Sequence, residues 1–139
     1  MSTDTTVVTN DLEGARTRTL HIVYGLHTLG LAIGAFGAAS VVGSFLFGWP
    51  SIIAVIVSYV YRGDVRGTWL ESHFDWAIRT FWLALGFAVI IALVSLPLVL
   101  LLGLGIVTWF IGLAALGIWA IYRIARGWMR LNARQPMPA

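Results

Sequence analysis

The chain has 139 residues, enough for one domain; 59% of them are hydrophobic, only 11% are charged, and the formal net charge is +3. Ordinary soluble domains carry about 25% charged residues, so this composition excludes a soluble fold of this size with a polar surface. The chain has no cysteine, which excludes disulfides, thiolate metal sites and cysteine nucleophiles.

The first 18 residues are polar and begin without a basic region. A secretory signal would start with positive charge and contain a short apolar region before a small-residue cleavage site. Here the apolar sequence continues well beyond such a length, which favours a retained membrane anchor. We therefore predict a flexible cytoplasmic tail over residues 1–18 and a membrane domain over residues 19–132.

Two long stretches, Thr19–Tyr61 and Thr80–Tyr122, contain no Asp, Glu, Lys or Arg. A membrane-spanning helix needs roughly 20 apolar residues, so each stretch fits two spans joined by a short turn. The expected fold is an all-α integral membrane protein. Its four transmembrane helices form two hairpins, joined by a cytoplasmic, partly amphipathic segment.

Glycine and proline suggest where each hairpin turns. In the first stretch Gly48 can end a helix and Pro50 suits the first turn of the next, which predicts helices over about 21–46 and 50–61. The second of these rises only about 18 Å, which leaves open whether it crosses the bilayer completely. In the second stretch Gly103 permits the turn, and the predicted helices are 68–102 and 105–131, followed by a flexible cytoplasmic tail over residues 133–139.

Arginine accounts for all the basic residues, and neither predicted hairpin tip carries one. The positive-inside rule places arginine-rich segments in the cytoplasm. This distribution predicts that both termini and the central segment, residues 62–79, are cytoplasmic. Four membrane spans are the simple arrangement that places both termini and the central segment on the same side of the membrane.

The central segment begins its helix with T-x-x-E, Thr68 to Glu71, which is the signature of a capping box. We expect Glu71 to accept a hydrogen bond from the backbone of Thr68, so that both residues have a structural role. Asp75 precedes Arg79 by four residues, the favourable order for an ion pair on one helix. These roles are favoured over a catalytic or metal cluster, because His73 and Asp75 point to different faces.

Catalytic and cofactor roles are not expected elsewhere either. His21 and His27 lie about 240° apart around the first helix, so they cannot bind one metal or haem together. No Asp, Glu, Lys or Arg falls within the predicted hydrocarbon layer, where pumps and membrane enzymes place ionisable groups. The sequence predicts a non-enzymatic protein without a cofactor.

Small residues form a stripe on the first helix at Gly30, Gly34 and Ala38. Such a stripe allows two helices to approach closely. It could form a seam between two copies of the chain or close packing within one bundle. The second interpretation is favoured, because four helices offer internal partners.

The run WPSIIAVIVSYVYRGDVRGTWLESHFDWAIRTFW (Trp49–Trp82), with YRIARGWMRL (Tyr122–Leu131), resembles a bacterial family of small membrane proteins of unknown function. That family is distantly grouped with the small four-helix subunit of the chloroplast inner-envelope import translocon. The resemblance implies a four-helix, multi-pass protein of the bacterial inner membrane. It implies no reaction.

From these observations we expect an inner-membrane accessory or scaffold protein whose arginine-rich cytoplasmic face contacts lipid headgroups or a membrane-protein partner. No nucleic-acid partner is expected. The alternative is a transport pore formed by self-association, along the Gly30 stripe or through aromatic faces. The candidate contact residues are Arg62, Arg66, Arg79, Arg123 and Arg126.

Overall fold

The computed structural model describes residues 2–37, 41–102 and 104–138, with side chains over residues 7–34, 48–98 and 104–138. These residues form four long helices, which confirms the all-α prediction. The helices are α1 (Ser2–Gly37), α2 (Val41–Arg62), α3 (Trp69–Leu102) and α4 (Leu104–Asn132), with a 3₁₀ turn at Gly63–Val65 between α2 and α3.

The helices form two antiparallel hairpins. Helix α1 packs along α2, and α3 packs along α4; α1 also contacts α4, and α2 contacts α3. The bundle therefore has the cyclic order α1–α2–α3–α4. This order brings the start of α3 and the end of α4 beside the middle of α1.

The predicted turn of the first hairpin is wrong. Helix α1 ends at Gly37, α2 begins at Val41, and α2 continues through Gly48 and Pro50. Proline removes one helical hydrogen bond, whereas ending the helix at this point would leave several backbone amides and carbonyls without helical partners. Continuing the helix through Pro50 therefore loses fewer hydrogen bonds than ending it there. With 22 residues, α2 is also much longer than the predicted helix over 50–61.

Residues 1–18 were predicted as a tail, but α1 begins at Ser2. Contacts across the sequence hold this part of α1 against the central segment. Arg16 Nη2 lies 2.6 Å from Asp64 Oδ2, and Trp69 Nε1 donates a hydrogen bond to Glu13 Oε1 at 2.8 Å. Local composition could not reveal either contact, because the partners are about 50 residues away.

The C-terminal residues also depart from the predicted tail over 133–139. Arg134 has a positive φ of 52°, and its amide and that of Gln135 donate to the carbonyls of Leu131 and Arg130. These two bonds form a Schellman motif, which ends α4 and reverses the chain. Residues 135–138 then return to α3, where Met137 is buried. Ala139 lies outside the described residues.

The packed core lies at the charged end of the bundle. It contains residues from all four helices, centred on Tyr24, Phe74 and Leu131, which are almost completely buried. By contrast, most large apolar side chains between Trp82 and Ile118 are exposed. The described residues therefore form a well-packed charged end and, on α3 and α4, an apolar part whose side chains mostly point outward.

Two helices are long and apolar enough to cross a membrane: Trp69–Leu98 of α3 and Leu104–Asn132 of α4. In their most apolar stretches only 6% and 11% of the residues are buried. The core helix of a soluble protein would be mostly buried, and a signal sequence would lie near the N-terminus. Neither description fits α3 or α4. Within the described residues these two helices alone meet the requirement, so four spans are not established.

Candidate functional site

The acidic residues of the central segment are held in ion pairs and a helix cap. Arg62 Nε lies 2.5 Å from Asp75 Oδ1, so the predicted pair of Asp75 with Arg79 is wrong. The competing partner comes from the end of α2, which packs against the start of α3. Asp64 pairs with Arg16, as described above. Arg66 is exposed and forms no salt bridge with a described residue.

Thr68 and Glu71 lie at the start of α3, with a geometry different from the expected capping box. Glu71 Oε2 accepts a hydrogen bond from the amide of Gly67 at 2.8 Å, one residue before the predicted donor. Thr68 Oγ1 donates to the carbonyl of Val65 at 2.7 Å. Gly67 itself has a positive φ of 77°, a conformation that glycine adopts without steric cost. A carboxylate in this first turn also meets the positive end of the helix dipole.

A buried hydrogen-bonded chain joins three elements through His73. Its Nε2 lies 2.8 Å from the carbonyl oxygen of Gln135, and a carbonyl can only accept, so Nε2 carries hydrogen. In the neutral ring Nδ1 is then an acceptor, and the hydroxyl of Tyr24, at 3.1 Å, donates to it. His73 thus links α1, α3 and the returning C-terminal residues. Both ring nitrogens of His73 therefore have a hydrogen-bond partner.

Aromatic rings and a glycine enclose this chain on α4. The ring of Trp128 stacks on Tyr24 with centroids 6.4 Å apart, and its Nε1 donates to His21 Nδ1 at 2.9 Å. Gly127 faces the tyrosine: a Cβ atom there would lie 2.6 Å from Tyr24 Oη. The glycine is therefore required for the close approach of α1 and α4. Sequence reasoning missed both Tyr24 and Gly127; the one signal available was a glycine inside an otherwise amphipathic helix.

Arg123 is held between α3 and α4 at the edge of the apolar region. Its Cζ atom lies 3.7 Å from the ring centre of Trp76, within the range of a cation–π contact. Its Nε donates to Thr80 Oγ1 at 2.9 Å, and Trp76 Nε1 donates to the backbone carbonyl of Arg123 at 3.1 Å. Thr80 was not identified from the sequence. These contacts fix the guanidinium but supply no negative charge.

Arg79, Arg123 and Arg126 together form what we call the arginine cluster. Arg126 Cζ lies 5.9 Å from the same Trp76 ring, and Arg79 lines the same small cavity as Trp76. None of the three forms a salt bridge with a described residue. Three candidate arginines that are scattered in the sequence thus share one surface at the α3–α4 boundary.

A small cavity adjoins this cluster on the side of the C-terminal residues. Its volume is about 200 Å³. Ser72 in its wall accepts a hydrogen bond from the amide of Met137 at 2.9 Å. The cavity is lined by Ser72, Asp75, Trp76, Arg79, Met137 and Pro138.

The small-residue stripe of α1 lies only partly within the described side chains. Gly30 is buried and Gly34 is half-buried inside the single chain. Ala38 lies outside the described residues. His27, on the same helix, is 4% exposed, and its ring nitrogens make no hydrogen bond with the described residues. Among those residues, no group of three or more His, Asp or Glu side chains is arranged to hold a metal ion.

Comparison with protein-family models, with curated proteins and with solved structures finds no match to this chain. The resemblance to the bacterial membrane family therefore stays a prediction. What the molecule can do follows from the arginine cluster, the aromatic rings around it and the apolar helices beyond.

Proposed function

We propose that this chain is a non-enzymatic accessory or scaffold protein of a bacterial inner membrane, whose arginine-rich end contacts anionic lipid headgroups. One observation carries the proposal: the packed, charged core lies at one end of the bundle, and most of the described large apolar side chains between Trp82 and Ile118 point outward. In water those side chains would form a large exposed apolar surface. In a bilayer they meet acyl chains, while the arginines meet phosphates.

Helix lengths support four spans. The uncharged part of α1, residues 19–37, rises about 28 Å, and the 22 residues of α2 rise about 33 Å. Both values are close to the roughly 30 Å hydrocarbon thickness of a bilayer. With α3 and α4 this gives two hairpins, and the positive-inside rule puts both termini in the cytoplasm.

The acidic side chains of the central segment and His73 already have structural uses, which supports a non-enzymatic role. Asp64 and Asp75 are in ion pairs, Glu71 binds a backbone amide, and His73 is hydrogen-bonded through both nitrogens. A general acid or base needs a group that is available to a substrate.

Thiol accessibility tests the four-span topology. Because the chain has no cysteine, single substitutions at Gly37, Arg66, Leu104 and Ala133 each introduce the only thiol. With a membrane-impermeant maleimide, we expect thiols at residues 66 and 133 to react only from the cytoplasmic side. Thiols at residues 37 and 104 should react only from the opposite side. Labelling of residue 37 from the cytoplasmic side would contradict four spans.

Native mass spectrometry of the protein released with its membrane patch tests the function itself. We expect enrichment of anionic lipids over their bulk fraction, and a clear loss of this enrichment when Arg62, Arg66, Arg123 and Arg126 are replaced by Gln. Unchanged enrichment would contradict the role of the arginine-rich end. A stable complex with another protein would instead assign that end to a protein partner.

The alternative, a homo-oligomeric pore, has less support. A seam along the α1 stripe would need exposed small residues, whereas Gly30 is buried and Gly34 half-buried within one chain. A closed ring of copies in the same mass spectra, together with solute flux in vesicles, would favour the pore.

A further inference from the structure

We infer that α3 and α4 form a binding site for one anionic phospholipid, with its phosphate at the arginine cluster and one acyl chain in an apolar groove between the helices. This inference rests on the proposed membrane location of the two helices. It goes further than a general attraction between arginines and headgroups, because it assigns one site to one lipid molecule.

The first argument is the uncompensated charge of the cluster. Arg123 is half-buried, and its partners, Trp76 and the hydroxyl of Thr80, are both uncharged. One of its terminal nitrogens, Nη2, is buried and makes no hydrogen bond with the described residues, so the bundle itself does not neutralise this guanidinium. Like charges that lie close together repel, and more strongly near an apolar region than in water. A phosphate at this surface would neutralise the cluster, and guanidinium groups bind phosphate through paired hydrogen bonds.

The carboxylate that lines the adjoining cavity does not neutralise the cluster. Asp75 lies on the same helix as Arg79, one turn earlier, and lines the same small cavity. Its oxygen, however, is paired with Arg62 from α2. The cluster is thus left with positive charge on its outer side, next to the aromatic ring of Trp76. Tryptophan and arginine together are typical of the headgroup level of a membrane.

The second argument is an apolar groove further along the same two helices. Its volume is about 340 Å³. Gly112 lets Ile91 of α3 pack closely against α4, since a Cβ atom there would lie 2.9 Å from Ile91 Cγ2, and the small side chain of Ala115 lies on the exposed side of the groove. The groove is lined by Phe87, Ile91, Gly112, Ala115, Leu116 and Trp119.

Trp119 connects the groove to the arginine cluster. Its ring lines the groove and lies 5.2 Å from the Cζ atom of Arg123, which follows it by one helical turn. A second ring contact, to Phe87 with centroids 5.6 Å apart, joins it to α3. A cationic site that continues into an apolar groove matches a molecule with an anionic head and an apolar chain. Free phosphate would occupy only the cationic site and leave the apolar groove empty.

Lipid titration of the purified full chain in a neutral detergent tests this site. Native mass spectrometry with dioleoyl phosphatidylglycerol should reveal one lipid bound more tightly than all others. Replacing both Arg79 and Arg126 by Gln should weaken this binding about tenfold or more. These two arginines are chosen because Arg123 also supports the α3–α4 contact. Phosphatidylcholine with the same chains should bind without preference for the site.

The matched control is the double variant Arg18→Gln with Arg134→Gln. It removes the same charge from exposed arginines outside the cluster, and we expect less than a twofold change. An equal loss in the control would overturn the site in favour of diffuse surface charge. Displacement of the lipid by millimolar inorganic phosphate would overturn it in favour of a small-anion site.

A second pair of variants tests the groove. Ala115→Phe should fill it and weaken phosphatidylglycerol binding, whereas Ala114→Phe, at an exposed neighbouring position outside the groove, should not. Equal behaviour of the two variants would contradict the acyl-chain assignment. If lipid enrichment in membranes persists while these variants show no effect, the specific site fails but the proposed function stands. Failure of the thiol topology test would contradict both the proposed function and the specific lipid site.

Discussion

The carboxylate of Asp75 lies 2.5 Å from Nε of Arg62, which belongs to the preceding helix, and forms no salt bridge with Arg79 on its own helix. This pair closes the turn between α2 and α3. It also leaves Arg79 without an acidic partner among the described residues, so that Arg79 joins Arg123 and Arg126. One ion pair thus shapes both the central segment and the cluster proposed to bind lipid.

A double-mutant cycle can measure which arginine pairs with Asp75. For Arg62→Gln and Asp75→Asn we expect a coupling of about 0.5 kcal/mol, because both side chains are 40–45% exposed and water screens such pairs. The measurement is the free energy of unfolding in mixed detergent micelles. The same cycle with Arg79→Gln should give a coupling close to zero. A larger coupling for Arg79 than for Arg62 would contradict the observed pair.

Gly127→Ala should destabilise the bundle by about 1–3 kcal/mol, since the added methyl group overlaps the Tyr24 ring and one of the two helices has to move. Gly117→Ala on the same helix is the matched control, because a Cβ there meets nothing within 4 Å. It should be neutral or stabilising by up to about 1 kcal/mol. Equal effects in thermal unfolding would show that Gly127 has no special packing role.

Removal of the Tyr24 hydroxyl should also be costly. Tyr24→Phe leaves Nδ1 of His73 buried without a donor, which costs about 1–3 kcal/mol of unfolding free energy. Tyr122→Phe is the control: that hydroxyl is exposed and only receives a 3.3 Å hydrogen bond from Arg126. We expect its effect to stay within about 0.5 kcal/mol. A Tyr24 variant as stable as the Tyr122 variant would rule out the buried hydrogen-bonded chain.

The second half of the chain could be predicted from sequence far better than the first. The predicted helices over 68–102 and 105–131 differ by one residue at most from α3 and α4. In that half, the uncharged stretch and the glycine between the two predicted helices are local signals that can be recognised in the sequence itself. In the first half, the predicted boundary at Gly48 fails because Pro50 removes only one helical hydrogen bond, whereas ending the helix there would leave several backbone groups without helical partners.

The candidate site was predictable as a set of arginines but not as a cluster. Positive charge on one side of the chain is visible in the sequence, and all three members of the cluster are among the predicted contact residues. Their association depends on Trp76 meeting Arg123 across 47 positions, which no local pattern reports. The return of the C-terminal residues to His73 is likewise a long-range contact, and composition predicted a flexible tail there instead.

Deletion of residues 135–139 should expose His73 to chemical modification. In the full chain the His73 ring has no exposed surface, and its Nε2 donates to the carbonyl of Gln135. The deletion removes this carbonyl together with the buried side chain of Met137. We expect diethyl pyrocarbonate to modify His73 slowly in the full chain and at least about tenfold faster in the truncated chain, as is usual when a buried group loses its cover.

His27 provides the internal control for that experiment. It is buried on α1 away from the C-terminal residues, so its modification should be equally slow in both chains. Peptide mapping by mass spectrometry separates the two histidines. Rapid modification of both would indicate general unfolding of the truncated chain. Protection of His73 after the deletion would contradict the contact, because Gln135 and Met137 would then not be what shields the ring from solvent.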